Sequence, residues 1–185
     1  MKHIFFFDLD GTLTDSGEGI LNCVRHALDL QNWPHPSDEN LRRFIGPPLI
    51  DSFMDIAGMN KQQAQQAVRD YRARYSTGGL FENRVYDGIP DVLKALNDAG
   101  KRCFMVTSKP EAFSVRIADK FGLTPYLESI CGATLDGKMD SKEQIVELAL
   151  QRAGNPDPSD VEMIGDRLFD VEGSRKHGID CTYVL

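Results

Sequence analysis

Four consecutive apolar residues, Ile4-Phe5-Phe6-Phe7, run directly into Asp8-Leu9-Asp10-Gly11-Thr12 within the first twelve positions of the chain. A short run that is apolar on both faces fits a central strand of a parallel sheet, because crossover helices cover such sheets on both sides. The run therefore asks for an α/β fold whose helices come from the rest of the chain. It also sets two carboxylates at the carboxyl end of a strand, beside the crevice where open α/β sheets bind ligands. Residues two apart in an extended segment share a face, so Asp8 and Asp10 can address one ligand. Gly11 permits the tight turn that brings backbone close to it.

Further apolar runs occupy residues 103–106, 129–132, 161–164 and 181–185. Between and before them lie helical patterns over 88–99, 110–121, 141–153 and 168–177, followed by Gly100, Gly122, Gly154 and Gly178 as stops. Ser108-Lys109-Pro110-Glu111 reads as a capping box, which predicts a helix that starts directly after Thr107. Residues 17–84 break the alternation: Ile20, Val24, Ala27 and Leu28 share one helical face, Ala64, Ala67, Val68, Tyr71 and Tyr75 share another, and no convincing strand intervenes. With one strand before this bundle and a βαβ series after it, the bundle is an insertion and not a tandem domain. The expected organisation is a parallel α/β core from residues 1–16 and 85–185, an all-helical unit over 17–84, and linkers near residues 15–17 and 83–87. The chain stops at Leu185 inside its last apparent strand, so no helix follows to cover that strand, and an uncovered apolar edge is an association risk.

A formal charge of −7 and a pI near 5.1 exclude a surface built to collect nucleic-acid phosphates. A small phosphorylated metabolite remains compatible, since local cations and a bound metal attract an anion despite an acidic whole. Cys23, Cys103, Cys131 and Cys181 show no CxxC spacing and read as reduced core thiols. The apolar stretch before Asp8 is too short for a signal peptide or a membrane span. A cytoplasmic monomer or dimer with no membrane partner is expected. His3, His26, His35 and His177 match no motif and read as surface or packing residues.

The chemistry follows from a second acidic loop. Gly165-Asp166-Arg167-Leu168-Phe169-Asp170 again follows an apolar run directly. A carboxylate that attacks phosphorus needs both charges masked, which calls for Mg²⁺ beside it. Asp166 can complete a hard-cation site with Asp8 and the Asp10 backbone carbonyl, with Asp170 one helical turn away as a supporting or water-mediated ligand. Thr107 and Ser108 offer hydroxyls and backbone N–H groups to phosphoryl oxygens, and Lys142 offers a charge. Lys109 is a weaker candidate, since a lone lysine is usually solvated.

The ordered series Asp8-x-Asp10-Gly11-Thr12, Thr107-Ser108, Lys142 and Gly165-Asp166 with Asp170 resembles the four motifs of the haloacid dehalogenase superfamily, over essentially the whole chain. The helical insertion looks like the C1 cap of that family. Val85-Tyr86-Asp87-Gly88, Thr107-Ser108-Lys109-Pro110 and Ile164-Gly165-Asp166-Arg167 resemble its phosphoglycolate phosphatase and bacterial 5′-nucleotidase-like branch. The resemblance implies a Rossmann-like sheet under a mobile helical lid, with Asp8 as nucleophile and Asp10 as general acid/base. It implies that Thr107 and Lys142 hold the phosphoryl group, that Asp166 binds Mg²⁺ and that Asp170 supports it.

Dehalogenases and phosphonatases of this superfamily lack an aspartate two residues after the nucleophile, so Asp10 favours phosphate esters. The expected activity is hydrolysis of a small phosphomonoester, with phosphoglycolate and nucleoside monophosphates as first substrates. Two alternatives stay open: a phosphomutase of the same superfamily, and a module that binds a phospho-ligand or a protein without turnover. In the cap, Arg42-Arg43-Phe44-Ile45-Gly46-Pro47-Pro48 has the character of a substrate-selecting loop, with Arg43 and Gly46 as its key positions. The competing reading makes Phe44 and Ile45 cap core and the arginines a solvated face.

Overall fold

The computed structural model describes residues 2–184. They form two compact units: Ser16–Arg84, and the residues that precede and follow it.

The second of these is built on a five-stranded sheet in the order β5-β4-β1-β6-β7. Its strands are β1 (Ile4–Phe7), β4 (Arg102–Pro110), β5 (Ser129–Ala133), β6 (Val161–Gly165) and β7 (Asp180–Tyr183), while β2 (Thr14–Asp15) and β3 (Arg84–Val85) are two-residue strands outside this sheet. All neighbouring pairs are parallel. β1 lies between β4 and β6, with Phe7 opposite Met105 on one side and Ile164 on the other. The carboxyl ends of β1 and β6 are therefore nearly level, with β4 running on past them to Pro110, and the chain leaves β1 and β6 together at the point where the strand order reverses. That is the ligand-binding crevice of an open sheet.

Helices α5 (Ile89–Asp98), α6 (Glu111–Lys120), α7 (Lys142–Arg152) and α8 (Leu168–Arg175) connect the strands. On one face, Ile4, Phe6, Phe104, Val106, Val161 and Met163 are buried in one cluster with Ile145, Val146 and Ala149 of α7. Phe6 and Phe104 meet edge to face at 5.5 Å. Each large side chain buried there stabilises the sheet by roughly 1.5–3 kcal/mol. On the other face, Phe5, Phe7 and Ile164 line an apolar groove of about 560 Å³ with Tyr86, Ile89, Val92 and Leu96. Val92 is 48% exposed there, so the two faces of the sheet are unequally covered. The last strand is shorter than the predicted 181–185, and Leu185 lies outside the described residues. All four cysteines are free thiols, and burial pushes the Cys103 thiol up to about 11.

One local prediction is corrected. The capping box at Ser108–Glu111 does not form: β4 continues to Pro110, α6 begins at Glu111, and no side chain caps it. The physical reason is Pro110, which bars the residue before it from helical φ/ψ. Lys109 therefore stays extended, its N–H donating to Thr107 Oγ1 at 3.3 Å, and the ladder to β5 shifts register between Thr107 and Pro110.

The inserted unit contains α1 (Gly17–Leu30), α2 (Asp38–Arg42), α3 (Leu49–Asp55) and α4 (Lys61–Thr77). α1 and α3 pack on α4. The predicted faces are the buried ones, with Val68 only half-buried. Asn60 and Gln63 cap α4 reciprocally, at 3.0 and 2.9 Å. Phe44 belongs to the core of this unit, edge to face with Phe53 at 5.1 Å.

Candidate active site

The loop after β1 is wound tightly. The N–H groups of Thr12, Leu13 and Thr14 all point to the Leu9 carbonyl, at 3.3, 3.0 and 2.9 Å, and Gly11 N–H donates to the Thr14 carbonyl at 2.8 Å. Gly11 has φ +90°, and a Cβ there would stand 2.2 Å from Asp166 Oδ2. Only a bare backbone lets the two acidic loops approach this closely. Gly11→Ala is expected to lower stability by roughly 1–2 kcal/mol for the left-handed backbone alone, and to push Asp166 aside. Chemical denaturation alongside an activity assay checks this; an unchanged variant contradicts it.

Asp8 follows the buried strand, its N–H bonded to the Ile164 carbonyl at 2.9 Å. Opposite it, Ser141 and Gln144 cap α7 reciprocally and set Lys142 in the first turn. The Lys142 ammonium reaches Asp8 Oδ1 at 2.8 Å, the Val106 carbonyl at 2.9 Å and Asp170 Oδ1 at 2.7 Å. Neighbouring glycines make room for this arrangement. A Cβ at Gly165 would fall 2.3 Å from Asp170 Oδ2, and one at Gly173 would fall 2.9 Å from Lys142 Cγ. Asp170 Oδ2 also accepts the Arg167 N–H at 3.0 Å, which caps α8.

Asp8, Asp166 and Asp170 each offer a carboxylate oxygen, and these atoms lie within 4.8 Å of one another. Thr12 Oγ1 donates to Asp166 at 3.4 Å, and Arg167 pairs with Asp166 at 3.1 Å. Crowding shows in the proton affinities. Burial, together with the Asp170 and Asp10 carboxylates, pushes the Asp8 carboxyl up against the pull of Lys142. Burial and the Asp8 charge push Asp166 up as well. For Lys142, burial disfavours its charge, but Asp8 and Asp170 overcome this and hold the ammonium charged more firmly than an ordinary lysine. One ammonium thus faces a group of hard oxygen donors, a donor set that fits a divalent cation such as Mg²⁺.

The structure accordingly brings Asp8, Lys142, Asp166 and Asp170 together. Thr107 is buried at the end of the same sheet segment, whereas Ser108 is exposed on the extended stretch of β4. The Asp10 side chain is not among the three carboxylates that meet within 4.8 Å, and it pairs with Lys109. A lone lysine in the sequence does not by itself announce this contact. The available signal was Pro110, which keeps the strand going and carries Lys109 inward. Arg43 and Gly46 lie in the inserted unit, both exposed. Arg43 donates to Asn40 Oδ1 at 3.2 Å, and Gly46 has φ +111°.

The chain resembles known proteins over nearly its whole length. The chain is 41% identical to a 5′-nucleotidase from Pseudomonas aeruginosa over 178 residues, covering 96% of this chain and 80% of that protein. It is 39% identical to the tyrosine-protein kinase PtkA from Mycobacterium tuberculosis over 181 residues, covering 98% of this chain but 61% of that protein. Among solved structures, a predicted phosphatase from Clostridium acetobutylicum superposes with a TM-score of 0.89 at 39% identity, covering 98% of this chain and 83% of that one. The sequence pattern described as haloacid dehalogenase-like hydrolase matches residues 5–184, and the chain belongs to that family.

Proposed function

We propose that this protein is a Mg²⁺-dependent phosphatase that hydrolyses a small phosphomonoester through an aspartyl-phosphate on Asp8. The observation that carries the reading is the meeting of Asp8, Asp166 and Asp170 within 4.8 Å, with Lys142 charged beside them. Relatives named phosphatase or nucleotidase support the same chemistry.

In the first half-reaction an Asp8 carboxylate oxygen attacks phosphorus, the bond to the leaving oxygen breaks, and that oxygen takes a proton from Asp10. In the second, water attacks the same phosphorus, returns a proton to Asp10 and frees Asp8 and inorganic phosphate. Lys142 and the Thr107 hydroxyl bind the phosphoryl oxygens. Asp8, Asp166, Asp170 and the Asp10 backbone carbonyl would hold Mg²⁺, which neutralises phosphoryl charge when bound. Substrate choice is assigned to the inserted unit, with Arg43 and Gly46 as the positions to vary, and phosphoglycolate and nucleoside monophosphates as the first candidates.

A panel of metabolite phosphates assayed for inorganic phosphate, with Mg²⁺ and then with excess chelator, tests the reading. Release is expected to fall at least about 100-fold on chelation. Metal-independent release, or ligand-induced stabilisation with no release from any ester, contradicts it. The relative named as a kinase points to one other outcome, in which a hydroxyl acceptor replaces water in the second half-reaction; phosphate appearing on the acceptor instead of in solution identifies it.

A further inference from the structure

Asp10 is the group that must give and then retake a proton, and Lys109 holds its carboxylate. Lys109 Nζ lies 2.7 Å from Asp10 Oδ1 and 2.7 Å from Oδ2. The Lys109 side chain is only 7% exposed, whereas the Asp10 side chain is 23% exposed. A solvated surface lysine would show the reverse pattern, with its head in water. The position of Lys109 follows from the local backbone: Pro110 keeps β4 extended past Thr107, and the bond from Lys109 N–H to Thr107 Oγ1 fixes the turn of the chain there. The two site lysines therefore divide their contacts. Lys142 takes Asp8 and Asp170, and Lys109 takes Asp10.

We propose that Lys109 is a positioning residue for Asp10. Its ammonium bridges both oxygens of the carboxylate and, when one oxygen carries the proton, keeps the other, so the carboxyl group loses its rotational freedom and the proton is held on the line to the leaving oxygen. Misplacing a reacting group by about an ångström costs on the order of 100-fold in rate, so the contact acts on rate and not on phosphate affinity. This inference rests on the phosphatase reading of the site.

The test compares an alkyl phosphate, the best one in the panel, with p-nitrophenyl phosphate. The aryl leaving group departs without a proton, so only the alkyl ester needs Asp10 as an acid. The ratio kcat/KM reports the steps through formation of the aspartyl-phosphate and leaves out its hydrolysis. Lys109→Met is expected to lower kcat/KM roughly 10- to 100-fold for the alkyl ester and less than about 3-fold for the aryl ester. Lys109→Arg, whose planar fork can bridge the same two oxygens, is expected to recover most of the alkyl activity. Equal losses for the two esters, arising in KM, would make Lys109 a phosphate binder and overturn the proposal, as would no loss at all. If Lys109→Met does not fold, Lys109→Gln decides by the same two esters: a loss confined to the alkyl ester counts for positioning through the ammonium, and an equal loss or none counts against it. A wild-type protein that releases phosphate from neither ester sinks the phosphatase reading and this inference with it.

Discussion

Asp8→Asn is expected to abolish phosphate release, by about four orders of magnitude or more, while leaving the protein at least as stable as wild type. The first part follows because an amide cannot form the phosphoryl ester that links the two half-reactions. The second follows from the crowding around Asp8. Its carboxyl is almost fully buried, it faces the Asp166 and Asp170 carboxylates within 4.8 Å, and burial pushes its proton affinity up. Replacing it with a neutral group of the same shape relieves like-charge repulsion, and Lys142 keeps Asp170 as its partner at 2.7 Å. Phosphate release and thermal unfolding, measured on the same preparations without added metal, check the two parts. Wild-type turnover in the variant would end the covalent mechanism. An inactive variant with a much lower unfolding temperature would mean that Asp8 chiefly holds the fold.

Lys142→Met reverses that stability pattern. Methionine fills similar space but removes the cation between two carboxylates, whose side chains are 10% and 0% exposed. Breaking a buried pair from one side costs about 3–5 kcal/mol, which in a protein of this size lowers the unfolding temperature by on the order of 10 °C. The pH dependence follows with a definite sign. In the variant the Asp8 carboxyl, already pushed up by burial, loses the opposing pull of Lys142, so the folded state binds a proton more tightly than the unfolded chain. Stability then falls as pH rises and recovers as pH is lowered through the raised value. Unfolding of wild type and variant at several pH values, with chelator present, measures this. A stability difference that does not narrow on acidification contradicts the assignment of Lys142 as the counter-charge of Asp8.

Much of this site was legible because its parts sit where parallel strands end. The four apolar residues before Asp8, and Val161, Met163 and Ile164 before Asp166, could be recognised as strands, and parallel pairing then brings both carboxylates to one edge of the sheet. Lys142 was identifiable only by its order among the other motifs, since one lysine after a serine says nothing alone. What local pattern misread was the segment after Thr107. Ser108 and Glu111 have the spacing of a capping box, yet the restriction that Pro110 places on Lys109 outweighs it, and the strand runs on. That single backbone preference exposes Ser108 and buries Lys109. The cap loop was ambiguous for another reason: Phe44 next to two arginines fits a selecting loop and a small core equally well, and only its packing on Phe53 decides that the phenylalanine is core.

The central position of β1 bears on how the protein is made. Ile4–Phe7 leaves the ribosome well before its neighbours in the sheet, Arg102–Pro110 and Val161–Gly165. At about 5–20 residues per second, three phenylalanines wait several seconds for one edge to be occupied and longer for the other. The contacts that assemble the site span 99, 134 and 154 residues, and closing such loops is slow. The crevice thus exists only once β6 has emerged, and a polypeptide halted before β6 displays an adhesive segment with no chemistry to show for it.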